Sequence, residues 1–502
     1  MSLDYDSDGG DGGGGAKRRR VDEQGEQRAA AEAEVDRISA LPDELRQRIL
    51  THLPLKDAIR TGALARGWRG LWRSRWAHRS AVEIHLRSRD APQRELDALE
   101  REPRPRRRLD RFSLTVEKAC NLKSSELRRF VEYSAECRVE DLHVDRRNTN
   151  ARKLSFHLPF SSPILARLSL SGGISISSIY YKGAQPFHAL EVIRLRSVSI
   201  WQAAFKKMLA LCPNLRTLDL LGCRGNHTLY SAISIVWPGN LRSVTMAECD
   251  GMALGLRSVP SLRSFRFRSY SGHSAYSSSF LKTPYFLPGN LADLYIYFGY
   301  LILLPRSDYE YFNILPDDLS NLTVLTICDN ALPVVASLFN GATARTLKLS
   351  NLHNLAELQL LMSKMSAVNV DDIYVFLKAC RLPNLERLFI QLPYLSYELR
   401  EGSHGVLHEE LPKDGLDRLK IVKVMNFSWR SIEIKLVSFL MSKASSLHKL
   451  LLVSPKVAPL DMPGIQEADH LLLREVLTSG KIMLSESDDV TIQPYHSEVF
   501  KL

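Results

Sequence analysis

One spaced apolar pattern dominates this chain of 502 residues: L-x-x-L-x-L, with other apolar residues standing in for leucine, recurs ten times. It reads Val139-x-x-Leu142-x-Val144, Leu165-x-x-Leu168-x-Leu170, Leu190-x-x-Ile193-x-Leu195, Leu215-x-x-Leu218-x-Leu220 and Leu241-x-x-Val244-x-Met246. It goes on as Leu262-x-x-Phe265-x-Phe267, Leu291-x-x-Leu294-x-Ile296, Leu322-x-x-Leu325-x-Ile327, Leu355-x-x-Leu358-x-Leu360 and Leu385-x-x-Leu388-x-Ile390. The first five copies recur at about twenty-five residues, within the range of stacked repeats; later spacings run from about twenty-one to thirty-three, so loops there are longer. Within a copy the alternation is that of a strand. Leu218 and Leu220 point to one side, while Thr217, Asp219 and Leu221 point to the other. One such unit cannot cover its own apolar side. Stacked at about 4.8 Å per strand, the units build a parallel sheet, and each buried Leu, Ile, Val or Phe contributes about 1.5–3 kcal/mol against the entropy of ordering the chain. The expected class is therefore α/β: a curved solenoid with parallel strands on its concave face and helices or loops outside.

The copies resemble leucine-rich repeats, and their outward-facing side chains form the candidate receptor surface. Strand by strand these include Arg167, Ser169 and Ser171, then Arg194 and Arg196, then Thr217 and Asp219, then Ser243 and Thr245. Arg266 and Arg268 follow, and after them Asp293, Tyr295 and Tyr297. Arginine and tyrosine concentrate binding energy because they join contact area to directional hydrogen bonding. Arg194, Arg196, Asp219, Arg266, Arg268, Tyr295 and Tyr297 are thus the candidate target-binding residues.

Nearer the N-terminus, residues 41–76 read as a helical module too small to bury its own apolar surface, hence one made to dock. Leu41, Leu45, Ile49 and Leu53 stand at every fourth position of a first helix, with Leu50 widening the stripe. Pro42 suits the first helical position, Asp43 and Glu44 favour the first turn, and Pro54 stops the helix. A second short helix runs from Asp57 through Ile59 and Leu64, and a third carries Trp68, Trp72 and Trp76 on one face. The spelling LP-x-E-L-x-x-x-IL-x-x-LP, given by Leu41, Pro42, Glu44, Leu45, Ile49, Leu50, Leu53 and Pro54, resembles the plant F-box, as does Trp68-Arg69-Gly70-Leu71-Trp72. The resemblance implies docking onto a Skp-family adaptor and, through it, a cullin ubiquitin ligase. It places adaptor contacts at Leu41, Pro42, Glu44, Leu45, Ile49, Leu50, Leu53, Leu64, Trp68, Leu71 and Trp72. Ala65 and Gly67 depart from the family pattern, and a glycine entering the third helix costs up to about 1 kcal/mol against alanine.

After the repeats, residues 406–480 resemble the FBD module that follows leucine-rich repeats in many plant F-box proteins, through Leu416, Leu419, Lys420, Val422, Phe427, Glu433, Leu436, Phe439, Leu440, Ala444, Leu447, Lys449, Leu450 and Leu452. The pattern suits a strand at Leu419–Phe427, a helix at Leu436–Lys443 and a returning strand at Leu447–Val453. Capping the open end of the solenoid core is the expected role. The organisation is then a leader (1–35), the F-box (36–80), a basic connector with a first irregular repeat (81–138), the solenoid (139–405), the FBD-like module (406–480) and a tail (481–502).

The leader is rich in Asp, Gly, Glu and Ala with little to bury, so disorder is expected. Lys17, Arg18, Arg19 and Arg20 form a basic run of the kind a nuclear import receptor reads, and no secretory signal precedes it, so nucleus and/or cytoplasm is the expected location. The net charge of +11 draws partly on Arg101, Arg104, Arg106, Arg107, Arg108 and Arg111. Pro103 and Pro105 interrupt that cluster and no aromatic residues alternate with it, which favours a solvated connector over a nucleic-acid groove. Seven scattered cysteines without CxxC spacing point to buried thiols rather than disulfides or zinc. Asn226, Asn321 and Asn426 fit the glycosylation pattern by chance. No HExxH, GxSxG or Walker loop occurs, and His404 with His408 lacks a third ligand fixed by spacing. The reading is a non-enzymatic receptor subunit without cofactor or metal and without a membrane partner. The alternative is a basic nuclear scaffold that binds nucleic acid or chromatin, with a non-functional F-box.

Overall fold

The computed structural model describes residues 38, 41–51, 60–63, 66–68 and 70–71, then 81–89, 91–106, 108–147, 153–157, 162–177, 186–226, 236–250, 256, 259–269, 288–298, 318–329, 332, 352–363, 373–374, 376–377, 380, 382–393, 416–453, 482–485 and 492–497. The chain divides into two compact units, Met1–Ser80 and Ala81–Leu502.

In the first unit, helix α1 (Asp43–Thr51) opens on the carbonyl of Pro42, which accepts the N–H groups of Leu45 and Arg46, both at 3.1 Å. Pro42 thus stands one position before the helix rather than inside it. Two short 3-10 turns follow, Thr61–Ala63 and Arg66–Trp68. Leu53, Leu64, Trp72 and the basic run Lys17–Arg20 lie outside the described residues.

In the second unit the strands are, in chain order, β1 (Ala81–Leu86), β2 (Arg111–Val116), β3 (Asp141–Arg146), β4 (Leu154–Ser155), β5 (Arg167–Gly172), β6 (Ile174–Ile176), β7 (Val192–Arg196), β8 (Ser199–Trp201), β9 (Thr217–Leu221) and β10 (Arg224–Asn226). They continue as β11 (Ser243–Ala247), β12 (Ser264–Ser269), β13 (Asp293–Phe298), β14 (Val324–Cys328), β15 (Glu357–Leu361), β16 (Arg387–Gln391), β17 (Ile421–Met425), β18 (Lys449–Val453) and β19 (Ile482–Ser485). Among the described residues, fifteen of them form one sheet in the order β1-β2-β3-β5-β7-β9-β11-β12-β13-β14-β15-β16-β17-β18-β19, parallel throughout. All ten apolar copies supply a strand to it. Registered positions repeat the same side: Leu168, Ile193, Leu218 and Val244 are mutual neighbours and fully buried. Four short strands make a second parallel sheet, β10-β8-β6-β4, on the far side of the first turn of each early repeat.

Between the two sheets the backbone turns a corner, and there it takes the left-handed region: Gly172 (φ 88°), Ser197 (φ 54°), Gly222 (φ 59°) and Glu248 (φ 53°). The neighbouring corners are tied by main-chain bonds, Ser197 N–H to Leu221 O at 2.6 Å and Gly222 N–H to Ala247 O at 2.7 Å.

At the entry to the strands a second device recurs that the apolar pattern does not reveal. In six of the ten copies an asparagine stands just before the L-x-x-L, and five of these donate to a carbonyl of the preceding repeat: Asn214 to His188 O (2.9 Å), Asn290 to Pro260 O (3.1 Å), Asn321 to Gly289 O (3.2 Å), Asn354 to Ser320 O (2.6 Å) and Asn384 to His353 O (2.7 Å). Asn240 joins the series through Asn214 Oδ1 at 3.1 Å. One amide thus saturates a turn carbonyl that the ladder leaves open. Asn354→Ala is expected to destabilise the second unit by about 1 kcal/mol, and Asn354→Ala with Asn384→Ala by about twice that, in urea unfolding.

Most of the basic segment is exposed, as expected of a solvated connector, with Arg106 the exception. Helices α2 (Ala91–Glu100) and α3 (Ser124–Glu136) flank β2, and α3 starts where Glu126 accepts the Lys123 N–H at 2.7 Å. Arg106 has its side chain almost fully buried, 2.7 Å from Glu136, over the Tyr133 ring at 4.6 Å, and donating to Leu99 O at 2.7 Å. Arg104 pairs with Glu136, Arg108 with Glu140 and Arg111 with Asp141. The arginines are spent on carboxylates that lie some thirty positions further on.

The FBD-like region continues the repeat sheet. Between β17 and β18 runs helix α5 (Ser431–Lys443), numbered after α4 (Gln202–Ala210), and β17, β18 and β19 extend the solenoid's own sheet in parallel. Buried Glu433 starts α5 by accepting the Ser428 N–H at 2.7 Å and the Arg430 N–H at 3.3 Å. Ile434, Leu436, Val437 and Leu440 face the core, while the Phe439 ring packs against that of Tyr374, tilted by 51° with centroids 4.1 Å apart. The cysteines are free thiols. Burial pushes Cys212 up to about 12 and raises Cys380 as well, which suits packing rather than reaction.

Candidate interaction surfaces

The first surface is the outer side of α1. Leu45 is 47% exposed and Ile49 39%, with Ile38 uncovered too, whereas Leu50 and Trp68 are buried inside the unit. Leu41 is half-buried, and Pro42 and Glu44 are exposed. Leu50 therefore belongs to the interior, not to the outward stripe. Arg46 holds α1 to the following turn: it pairs with Asp43 and donates to Gly67 O at 2.7 Å. A side chain at Gly67 would place its Cβ 2.4 Å from Arg46 Nη1, so glycine at this position makes room for that guanidinium. Half-buried Leu71 follows on the same short stretch.

The second surface is the outward side of the long sheet, and its two ends differ. On β5 to β9 it is open: Arg167, Arg194 and Arg196 are exposed, and Arg194 Nε lies 3.3 Å from Asp219. On β3, burial and the charge of Arg111 hold the His143 imidazole below its ordinary range, so the neutral ring sits between Asp141 and Asp145. From β12 onward much of the same side is covered, although Arg387 and Gln391 on β16 stay exposed. Ser264, Asp293, Thr326, Glu357, Gln359 and Lys423 all occupy outward positions, yet all are buried; Thr326, Glu357 and Lys423 are at 0% exposure.

Part of that cover is the chain's own tail. Ser497 N–H donates to Pro494 O at 3.0 Å, closing a tight turn over Tyr495 and His496. His496 is buried with Nε2 3.1 Å from Asp293 Oδ1 and Nδ1 2.8 Å from Thr326 Oγ1. The Tyr495 N–H donates to Glu357 Oε1 at 2.6 Å, and Lys423 Nζ donates to Ile492 O at 2.6 Å. Asp293 Oδ1 also accepts from Ser264 Oγ at 2.7 Å, and Glu357 pairs with Arg387 at 2.7 Å, so neither carboxylate is buried uncompensated.

These contacts sort the candidate target-binding residues. Arg194, Arg196 and Asp219 share the open end. Arg266 lies 3.7 Å from Asp293 and 6.0 Å over the Tyr495 ring; Arg268 lies 3.7 Å from Glu248 and 5.7 Å over Tyr297. Tyr295 is buried with its ring 5.5 Å from that of His496. Thr326, Glu357, Gln359, Lys423, Tyr495 and His496 were not among the candidates. The polar choice at four outward positions of β14, β15 and β17 was a visible signal, but nothing local marks the tail as their partner. Among the described residues no cluster of three or more metal-type ligands occurs, and no helix is long and apolar enough to cross a membrane. His404 and His408 lie outside the described residues.

Residues 38–80 match the F-box domain profile, and residues 127–279 match the profile described as FBD-associated F-box protein At5g56370, LRR repeats. Among curated proteins the chain is similar to F-box/LRR-repeat protein At5g02910 of Arabidopsis thaliana, 25% identical over 53% of this chain and 54% of that protein. It therefore spans about half the length of that relative. Putative F-box/LRR-repeat protein At5g54820 of the same plant is 24% identical over 82% of this chain and 88% of its own length. F-box/FBD/LRR-repeat protein At1g51370, also from Arabidopsis thaliana, is 56% identical over a short stretch, 8% of this chain and 9% of its own. An N-terminal helical module with the F-box spelling, a parallel repeat sheet with an asparagine before six of its ten apolar copies, and these matches together make the chain similar to plant F-box/leucine-rich-repeat proteins.

Proposed function

We propose that this chain is the substrate-recognition subunit of a Skp–cullin–F-box ubiquitin ligase. The observation that carries the reading is the outer side of α1: Leu45 and Ile49 remain exposed although Leu50 and Trp68 already fill the interior of the same small unit. Such a surface is satisfied by a second polypeptide, and the family places a Skp-type adaptor there, with Leu41, Pro42, Glu44, Leu53, Leu64, Leu71 and Trp72 completing the contact. The strand face of the second unit, expected to be concave, then presents a target protein. The chain's contribution is geometric: it raises the effective concentration of the target near the charged ubiquitin carrier, while other subunits make and break bonds. The run Lys17–Arg20 fits entry into the nucleus in addition to the cytoplasm.

Co-expression with a Skp-family adaptor tests the reading. The two chains are expected to co-elute and to stay together as salt rises, because an apolar contact is not screened. A basic scaffold holding nucleic acid would instead lose its partner steeply over the same salt range. Failure to co-elute with any Skp homologue, together with salt-sensitive retention of nucleic acid, would replace the ligase reading by the scaffold.

A further inference from the structure

We propose that the covered end of the strand face is an exchangeable peptide site that recognises a turn bearing an aromatic residue followed by histidine, filled in cis by Tyr495 and His496 until a target turn of the same chemistry displaces them. The proposal rests on the reading of the strand face as the target surface. Three observations carry it. First, the residues that bind the tail are Asp293, Thr326, Glu357 and Lys423, at positions that point away from the repeat core, with Phe389 the buried apolar residue registered beside Lys423. A permanent lid would be met at lowest cost by apolar side chains; polar ones are satisfied when the turn is seated and can be hydrated when it leaves.

Second, the turn is held by side chains and not by the sheet's main-chain ladder. Lys423 takes the Ile492 carbonyl, Glu357 takes the Tyr495 N–H, and Asp293 with Thr326 takes the His496 ring. Read as a specification, the site asks for a carbonyl at one position, an N–H three residues later and an imidazole at the next. Third, the Tyr495 ring is 54% exposed at 6.0 Å from Arg266, at the border with the open end of the face. A tethered segment acts at an effective concentration on the order of millimolar, so a free peptide of the same sequence competes poorly. A target that also engages Arg194 and Arg196 overcomes that disadvantage by binding at two places.

The test uses the full chain and its Tyr495→Ala/His496→Ala form with a fluorescent, end-capped peptide spanning Ile492–Ser497. The peptide is expected to bind the double variant at least tenfold more tightly than the wild-type chain, and a peptide with alanine in place of the histidine is expected to bind neither. Equal binding to both chains, or no binding to a variant that melts like wild type, overturns the proposal. Should the variant fail to fold, hydrogen exchange on the wild-type chain decides. The Tyr495 amide is expected to exchange at least a hundredfold faster than the amides of β14; equal rates would mean that the turn leaves only on global unfolding, and the proposal falls. Adaptor capture is read separately: loss of capture with peptide binding intact removes the ligase reading alone, and the reverse removes the peptide site alone.

Discussion

Leu45→Arg with Ile49→Arg abolishes capture of a Skp-family adaptor and leaves the chain folded. Both side chains are substantially exposed on α1, so their replacement removes little buried area, and arginine is a good helix former. Because each aliphatic side chain is a little under half exposed, covering the pair contributes about 1–3 kcal/mol, roughly ten- to a hundredfold in affinity. Two charges entering an apolar surface add to the loss. Leu50→Ala is the contrasting control. Leu50 is fully buried, and its truncation is expected to lower the stability of the first unit by about 2–5 kcal/mol while the outer side of α1 keeps its chemistry. Co-elution with the adaptor, measured beside thermal melting by circular dichroism, separates the two effects. Undiminished capture by the double arginine form would end the assignment of this helix to the adaptor.

Gly172→Ala is expected to be the most damaging small substitution in the second unit, costing about 3–5 kcal/mol in urea unfolding. Four early corners share a positive φ, and two of them, Ser197 and Glu248, carry side chains there. Conformation alone therefore does not demand glycine. Space does: a Cβ at Gly172 would stand 1.7 Å from the carbonyl oxygen of Arg146, which is rigid backbone of the neighbouring repeat, whereas at Gly222 the nearest atom is the Ser197 hydroxyl at 3.3 Å. Gly222→Ala is accordingly expected to cost about 1 kcal/mol. Equal losses at the two corners would refute the steric argument.

The apolar alternation made the solenoid legible. Leu218 and Leu220 bury as spacing requires, and so do their counterparts in the other copies, because a period of two has one solution when one side must be dry. What stayed hidden depends on partners distant in sequence. Arg106 looks like a solvated charge until Glu136 and Tyr133 arrive from α3. The asparagines at 214, 290, 321, 354 and 384 sit beside the leucines that define the copies, yet a search keyed to apolar positions passes over them. The FBD-like strands were placed correctly along the chain, but their role as further rungs of one sheet follows from pairing with β16, which no local pattern encodes. On α1 the pattern grouped Leu50 with Leu45 and Ile49; which side faces inward is decided by Trp68 and its surroundings. Seating of His496 against Asp293 spans two hundred positions and leaves no trace in either neighbourhood.

The asparagine series has a consequence for how such a chain tolerates change in length. The strands β9, β13, β14, β15 and β16 are each located by an amide reaching a carbonyl of the repeat before, so the geometry of those rungs is indifferent to how many residues lie between. Doubling an intervening loop costs only about 0.6 kcal/mol of closure entropy. Segments on the outer rim can therefore grow or shrink as independent elements, diversifying what the molecule displays without detuning the frame that carries them.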